Sequence, residues 1–349
     1  SMVGLAIGQL IFGPLSDKYG RRSPLLIAMA LFLISTVGCI FSQNISQFVA
    51  LRFVQGIAGA GGVVISRSIA ADKYSAHELA GMLATIGAIN GIATVVAPIG
   101  GGVLADFGGW HGIFWFLFIV GVLLIIGSMR FRESLPGGQR QNIRWGDMYR
   151  RFGIVLHNRQ YVRYILQYGF TMGVLFTNIA SAPFIMQQYY GLSPMLFSFC
   201  FGVNAVAMVI SSALAVRFST MERALHVGNH GMLFISILLS VAFFLDCNFW
   251  IYEILIFCLL AMVGMTFTAS NTLAMDCERK NAGVASALLG AIGFAFGGIV
   301  SPLVGMGDIR MSTGFLFFMG SLCSCVCACF SFHRLPFHKK ALNFAPYRI

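Results

Sequence analysis

The feature that most constrains this chain is a succession of apolar stretches, each about as long as the 20 residues a helix needs to cross a bilayer. They run at roughly 25–41, 48–71, 79–105, 112–129, 164–187, 195–216, 229–245, 250–274, 282–305 and 313–332. These are ten full spans. A shorter apolar run at 3–15 reaches the first residue and reads as the second half of a span whose start is missing, and nothing basic precedes it as a cleavable signal would require. Only 10% of the residues are charged and 58% are hydrophobic, whereas an ordinary soluble domain carries about 25% charged residues. An all-α membrane protein is expected, and the 40 glycines suit helices that must approach closely in lipid.

A net charge of +11 would suggest nucleic acid if it were clustered on one soluble face. It is distributed by loop instead. Of the 23 Lys and Arg, 20 fall in 16–24, 72–78, 130–163, 217–228, 275–281 and the tail from 333, with eight in 130–163 alone. The alternate loops hold only Arg310, and Arg52 and Arg67 lie within a span. The positive-inside rule makes the first set cytoplasmic together with the C-terminus, so the charge records topology and contact with anionic lipid, not nucleic acid.

An internal repeat organises the spans. Ala80-Gly81-Met82-Leu83-Ala84, then Gly87-Ala88-Ile89 and Ala97-Pro98-Ile99-Gly100-Gly101, are similar to Ala282-Gly283-Val284-Ala285-Ser286, Gly290-Ala291-Ile292 and Ser301-Pro302-Leu303-Val304-Gly305. The offset is 202 at the start and 204 at the prolines. Both copies run outward from the cytoplasm, which predicts two parallel, pseudo-symmetric helical bundles. The expected organisation is an incomplete N-terminal bundle at 1–130, a cytoplasmic linker at 131–163, a C-terminal bundle at 164–332 and a cytoplasmic tail at 333–349. In the linker, Trp145, Met148, Tyr149, Phe152 and Leu156 follow helical spacing, which predicts an amphipathic helix lying on the surface. The nine cysteines give no disulfide framework, and His226 and His230, four residues apart, have no obvious third metal ligand.

Several motifs carry a family resemblance. Gly13-Pro14-Leu15-Ser16-Asp17-Lys18-Tyr19-Gly20-Arg21-Arg22 resembles the cytoplasmic signature between the second and third spans of the major facilitator superfamily. Arg52-Phe53-Val54-Gln55-Gly56 with Gly59 is similar to its fourth-span motif, and Ala97-Pro98-Ile99-Gly100-Gly101-Gly102 to its fifth-span antiporter motif, with Ala93 and Ala97 where the family prefers Gly. The run from Ala6 to Asp72 most resembles the Bcr/CflA group of drug:proton antiporters. That resemblance implies a twelve-span fold lacking here its first span and part of its second. It further implies a cytoplasmic latch and a proton-coupling Arg in the fourth span.

Read as chemistry, Gly13 and Pro14 permit close packing, while Asp17, Arg21 and Arg22 share a tight turn at Gly20. Asp17 is expected to face the N-terminal end of the helix entering at 282, and Asp72 to pair with Arg21. Arg52, several residues inside a span, is a functional candidate because a guanidinium there must face protein or water; Gln55 shares its face. Asn90, Pro98 and Gly101 lie on a small, polar stripe of the fifth span. Gln167, Thr171 and Asn178 form a polar stripe on the first span of the second half, with Asn204 near mid-depth on the next, and these are expected to line a central cavity with Tyr168 and Phe294. The sequence reading finds no carboxylate at mid-depth, since Glu253 lies only three residues from Trp250, so the acid partner of Arg52 is expected in the missing first span.

The expected activity is export of small amphipathic compounds by proton antiport with alternating access. The alternatives are export of one endogenous metabolite, or a membrane protein that transports nothing. No catalytic constellation and no metal set is found. The expected partners are a small-molecule substrate, protons and lipid, with no cofactor, for a monomer in a bacterial inner membrane.

Overall fold

The computed structural model describes residues 1–73, 76–135, 145–278 and 282–332; for part of the helical residues, including most of 76–107, the side chains fall outside that description, as does the whole tail. The first half comprises α1 (Met2–Tyr19), α2 (Arg22–Ile40), α3 (Ile45–Lys73) and α4 (Ala76–Met129). The second follows the linker helix α5 (Trp145–His157) with α6 (Arg159–Ala182), α7 (Pro194–Ala215), α8 (Met221–Phe244), α9 (Phe249–Cys277), α10 (Ala282–Leu303) and α11 (Ile309–Phe332). Among the described residues nine stretches are long and apolar enough to cross a membrane. The remaining expected span, 79–105, is the first limb of α4, helical but with most of its side chains undescribed.

Three boundaries differ from the sequence reading. The loop expected at 106–111 is absent: helix continues to Gly109, whose backbone at φ 60° and ψ −161° lies in a region open essentially to glycine alone, and the chain turns there. The span expected from 164 begins at Arg159, so the last residues of the presumed linker already belong to α6. That helix continues as a π-helical segment, Pro183–Tyr189, where a proline without an N–H interrupts the regular ladder. The helix α5 packs on α6 and α10. Among its described side chains Phe152 and Val155 are buried and Leu156 is exposed, while those of Trp145, Met148 and Tyr149 lie outside the description.

The two halves repeat one packing scheme. In the first, α3 packs on α1 and α2, and α2 on α4; in the second, α9 packs on α7 and α8, and α8 on α11. Both α1–α3 and α7–α9 depend on a glycine against a backbone carbonyl. A Cβ at Gly8 would collide with the Ile57 oxygen, and one at Gly264 with the Met208 oxygen. Such contacts matter where lipid is as apolar as the side chains and association rests on close packing. The halves meet along α1–α10 and α4–α7.

Candidate functional site

Arg52 lies seven residues into α3, about 10 Å along the axis at 1.5 Å per residue. Its Nη1 donates to Gln55 Oε1 at 2.5 Å, Gln55 Nε2 donates to Thr36 Oγ1 of α2 at 2.6 Å, and Thr36 donates onward to the Phe32 carbonyl at 2.7 Å. Gln55 and Thr36 are buried. The guanidinium also stands 5.6 Å from the Phe114 ring centroid, within the range of a cation–π contact. The sequence placed Gln55 on the right face; it did not show that an aromatic ring would stand against the charge as well. Among the described residues no carboxylate forms an ion pair with Arg52.

The charge cluster between α1 and α2 closes around Arg21, which is buried. Its Nη1 binds Asp17 and donates to Ser16 Oγ at 2.8 Å, and its Nε donates to Asp72 Oδ2 at 2.8 Å. Burial works against this charge, but the bonds to Asp72 and Asp17 outweigh it and hold the guanidinium above its ordinary pKa. The expected Arg21–Asp72 pair therefore forms. Glu133, which the sequence reading passed over, receives the backbone N–H groups of Arg21 at 2.8 Å and Arg22 at 3.2 Å. It thus satisfies orphan donors at the start of α2 and places a negative charge at the positive end of that helix. Arg22 Nη2 reaches back to the Met129 carbonyl at 2.9 Å, tying α2 to the end of α4. Gly13 faces Ala287 of α10. The expected Asp17 contact at the 282 helix entry involves 279–281, which lie outside the described residues, as do the side chains of Asn90 and Pro98. Gly101 has open space around it.

In the second half the polar stripe faces other helices. Gln167 Nε2 contacts Thr171 Oγ1 at 3.2 Å, Asn229 Oδ1 of α8 at 3.2 Å and Ser324 Oγ of α11 at 3.1 Å, and all four residues are fully buried. Gln167 and Thr171 therefore knit α6 to α8 and α11 in this structure and do not line a cavity. Asn178 is buried with its Oδ1 free of partners. Tyr168 stacks at 5.4 Å on Phe267, and Phe294 meets Phe176 at 5.9 Å, within the packing between α6, α9 and α10. Asn204 donates from Nδ2 to Glu253 Oε1 at 3.0 Å. Glu253, set aside in the sequence as too near the outer boundary, is thus bonded ten residues into α7. The missed signal was a carboxylate inside a span, whatever its depth.

At the opposite end of the helices from Arg21, Arg310 binds Asp246, donates to Tyr189 Oη at 2.8 Å and lies 4.2 Å above the Tyr189 ring. This joins the start of α11, the α8–α9 turn and the end of the π-helical segment.

Comparison with known proteins follows the same lines. A family model described as Major Facilitator Superfamily matches residues 1–302. An uncharacterised transporter of that type from Bacillus subtilis, YdgK, is 37% identical over 313 residues, covering 88% of this chain and 78% of that one. A bicyclomycin resistance protein homolog from Haemophilus influenzae is 29% identical over 341 residues, covering 91% of this chain and 81% of that one. Among solved structures, the partially occluded inward-open xylose transporter XylE from E. coli superposes with a TM-score of 0.72 over 96% of this chain and 85% of its own, at 18% identity, a likeness of fold alone. With a helical repeat, a charge cluster between α1 and α2 and relatives that are transporters and not enzymes, this multi-pass membrane chain belongs to the Major Facilitator Superfamily.

Proposed function

We propose that the protein exports small amphipathic compounds by proton antiport, as a Bcr/CflA-type drug exporter of the bacterial inner membrane with its C-terminus in the cytoplasm. The observation that carries this reading is Arg52, a cation inside α3 that donates to the buried Gln55, itself bonded to Thr36, and stands over the Phe114 ring, with no carboxylate paired to it among the described residues. A charge anchored by neutral groups stays positive while its surroundings change protonation, so it can favour loss of a proton from a nearby acid when substrate arrives. The resistance function named for the Haemophilus relative supports a drug-like substrate class.

Gly13, Asp17, Arg21, Arg22 and Asp72, with Pro98 and Gly101 on α4, are read as the gating elements of alternating access. The Arg21 cluster ties α1, α2 and α3 into one unit on the cytoplasmic side, which suits a rigid half that rocks against its partner across α1–α10. The protein acts as a monomer with the proton gradient as its energy source and no cofactor.

The test is efflux of a cationic dye from proteoliposomes holding the full-length protein, with and without an imposed pH gradient. Gradient-driven efflux supports the reading. Dye movement indifferent to the gradient would overturn antiport, and no movement of any of a panel of amphipathic dyes would overturn drug export.

A further inference from the structure

At the contact between α7 and α9 two hydrogen-bonded residues each keep one bare acceptor among the described residues. Asn204, 1% exposed, gives its Nδ2 to Glu253 Oε1 at 3.0 Å, and yet Asn204 Oδ1 and Glu253 Oε2, both buried, have no hydrogen-bond partner. The Cys200 thiol also sits beside this carboxyl but makes no bond of normal geometry to Oε2. An ionised carboxylate accepts only, so as a carboxylate Glu253 has no proton to give Asn204 Oδ1, and both acceptors stay bare. Leaving buried polar atoms in this condition is costly where no water can reach them.

One proton resolves both vacancies. A carboxylic acid and a primary amide form a cyclic pair in which the amide N–H donates to the acid carbonyl and the acid O–H donates to the amide oxygen. We propose that Glu253 is a proton-binding site whose neutral form closes this ring with Asn204 and so holds α7 against α9. Release breaks the Oε2–H bond, leaves the electron pair on the carboxylate, and passes the proton to water at the outer end of α9, whose first residue is Phe249. The ionised form then sets Oε2 against Asn204 Oδ1, acceptor against acceptor, and the contact must open or admit water. The titratable groups that face the carboxyl are Cys200 from α7 and Tyr252 on its own helix; among the described residues no charged group faces it from α6, α7, α8 or α10.

The test reads the resting protein and needs no transport, so failure of dye efflux leaves this proposal standing and success does not establish it. Infrared spectra of the full-length protein in nanodiscs at neutral pH should contain a protonated-carboxyl C=O band that shifts in D₂O and is lost in Glu253→Gln. The glutamine variant should fold, because its Nε2–H can donate to Asn204 Oδ1 in place of the acid O–H, and its melting temperature should be flatter across alkaline pH than that of the natural protein. Asn204→Ala supplies a second reading: the same band should persist but shift to higher frequency, because its ring partner is gone. Absence of a band assignable to Glu253 at every pH where the protein stays folded, or a band unmoved by Asn204→Ala, would overturn the proposal.

Discussion

Among the described residues, the two halves treat their buried polar groups differently. In the first, two cations among the described side chains are bonded: Arg52 through Gln55 to Thr36, and Arg21 to Asp17, Asp72 and Ser16. In the second, Gln167 Oε1, Asn178 Oδ1, Asn204 Oδ1, Asn229 Nδ2, Tyr252 Oη, Glu253 Oε2 and Thr313 Oγ1 lack a partner, and among the described residues every such atom comes from this half. One packing scheme therefore carries two polar economies. A bonded charge is an anchor, whereas an unused acceptor is a place where a proton, a water or a ligand changes the balance.

The largest effect expected is on Arg52. Arg52→Ala should abolish the response of dye efflux to a pH gradient. It should also leave the buried Gln55 Oε1 without its donor, at about 1–3 kcal/mol of stability. Efflux assays and denaturant melts on the same preparation separate the two. A variant that is destabilised yet fully gradient-responsive would reduce Arg52 to a structural anchor and remove the functional side of the contrast.

Arg21→Ala strips Asp17 and Asp72 of their shared cation. Removing one member of a buried pair costs about 3–5 kcal/mol, but the Asp17 side chain is 35% exposed, so water recovers part of this and about 2–3 kcal/mol is expected. A loss under 1 kcal/mol in thermal melts would show that Glu133, through its bonds to the backbone of Arg21 and Arg22, holds the turn alone.

The glycine contacts sharpen the comparison where the halves should agree. Gly8→Ala and Gly264→Ala each drive a methyl into a backbone carbonyl across equivalent helix pairs, and each should cost about 1–3 kcal/mol. Strongly unequal losses would mean that the halves share connectivity but not packing tightness.

The smallest effect belongs to the outer cluster. Its hydrogen bond to Arg310 holds the Asp246 carboxyl below the usual carboxylate range. The folded pKa is depressed, so the stabilisation is present above the unfolded pKa and lost as pH falls through the folded one. Asp246→Asn should shift the melting temperature less than either glycine variant near neutral pH, and not at all in strong acid. An undiminished shift in strong acid would assign the effect to packing instead of charge.

Much of this protein is legible in its sequence. Spanning stretches, the sidedness of charge and the parallel repeat follow from hydropathy and loop composition, because a bilayer demands long apolar helices and sorts Lys and Arg by side. Arg21 with Asp72 was readable from position, since both lie at helix ends that the charge pattern puts on one side. Gln55 beside Arg52 was readable from a separation of three residues, which one helix turn brings together.

Partners on other helices were not readable. Periodicity states which residues share a face of their own helix; it does not state whether that face meets a cavity, lipid or another helix. For this reason the Gln167–Thr171 stripe, which suggested a cavity lining, turned out to bond Asn229 and Ser324, and Glu253, set aside by depth, proved to be bonded to Asn204. Glu133 lies 112 residues from the Arg21 N–H it receives, and no local spacing rule reaches that far. The sequence by itself determined a repeated, multi-span helical transporter with its basic loops on one side. Only the tertiary structure decided which buried polar atoms are satisfied, because a hydrogen bond depends on atoms coming within about 3 Å, and across helices only packing brings them there.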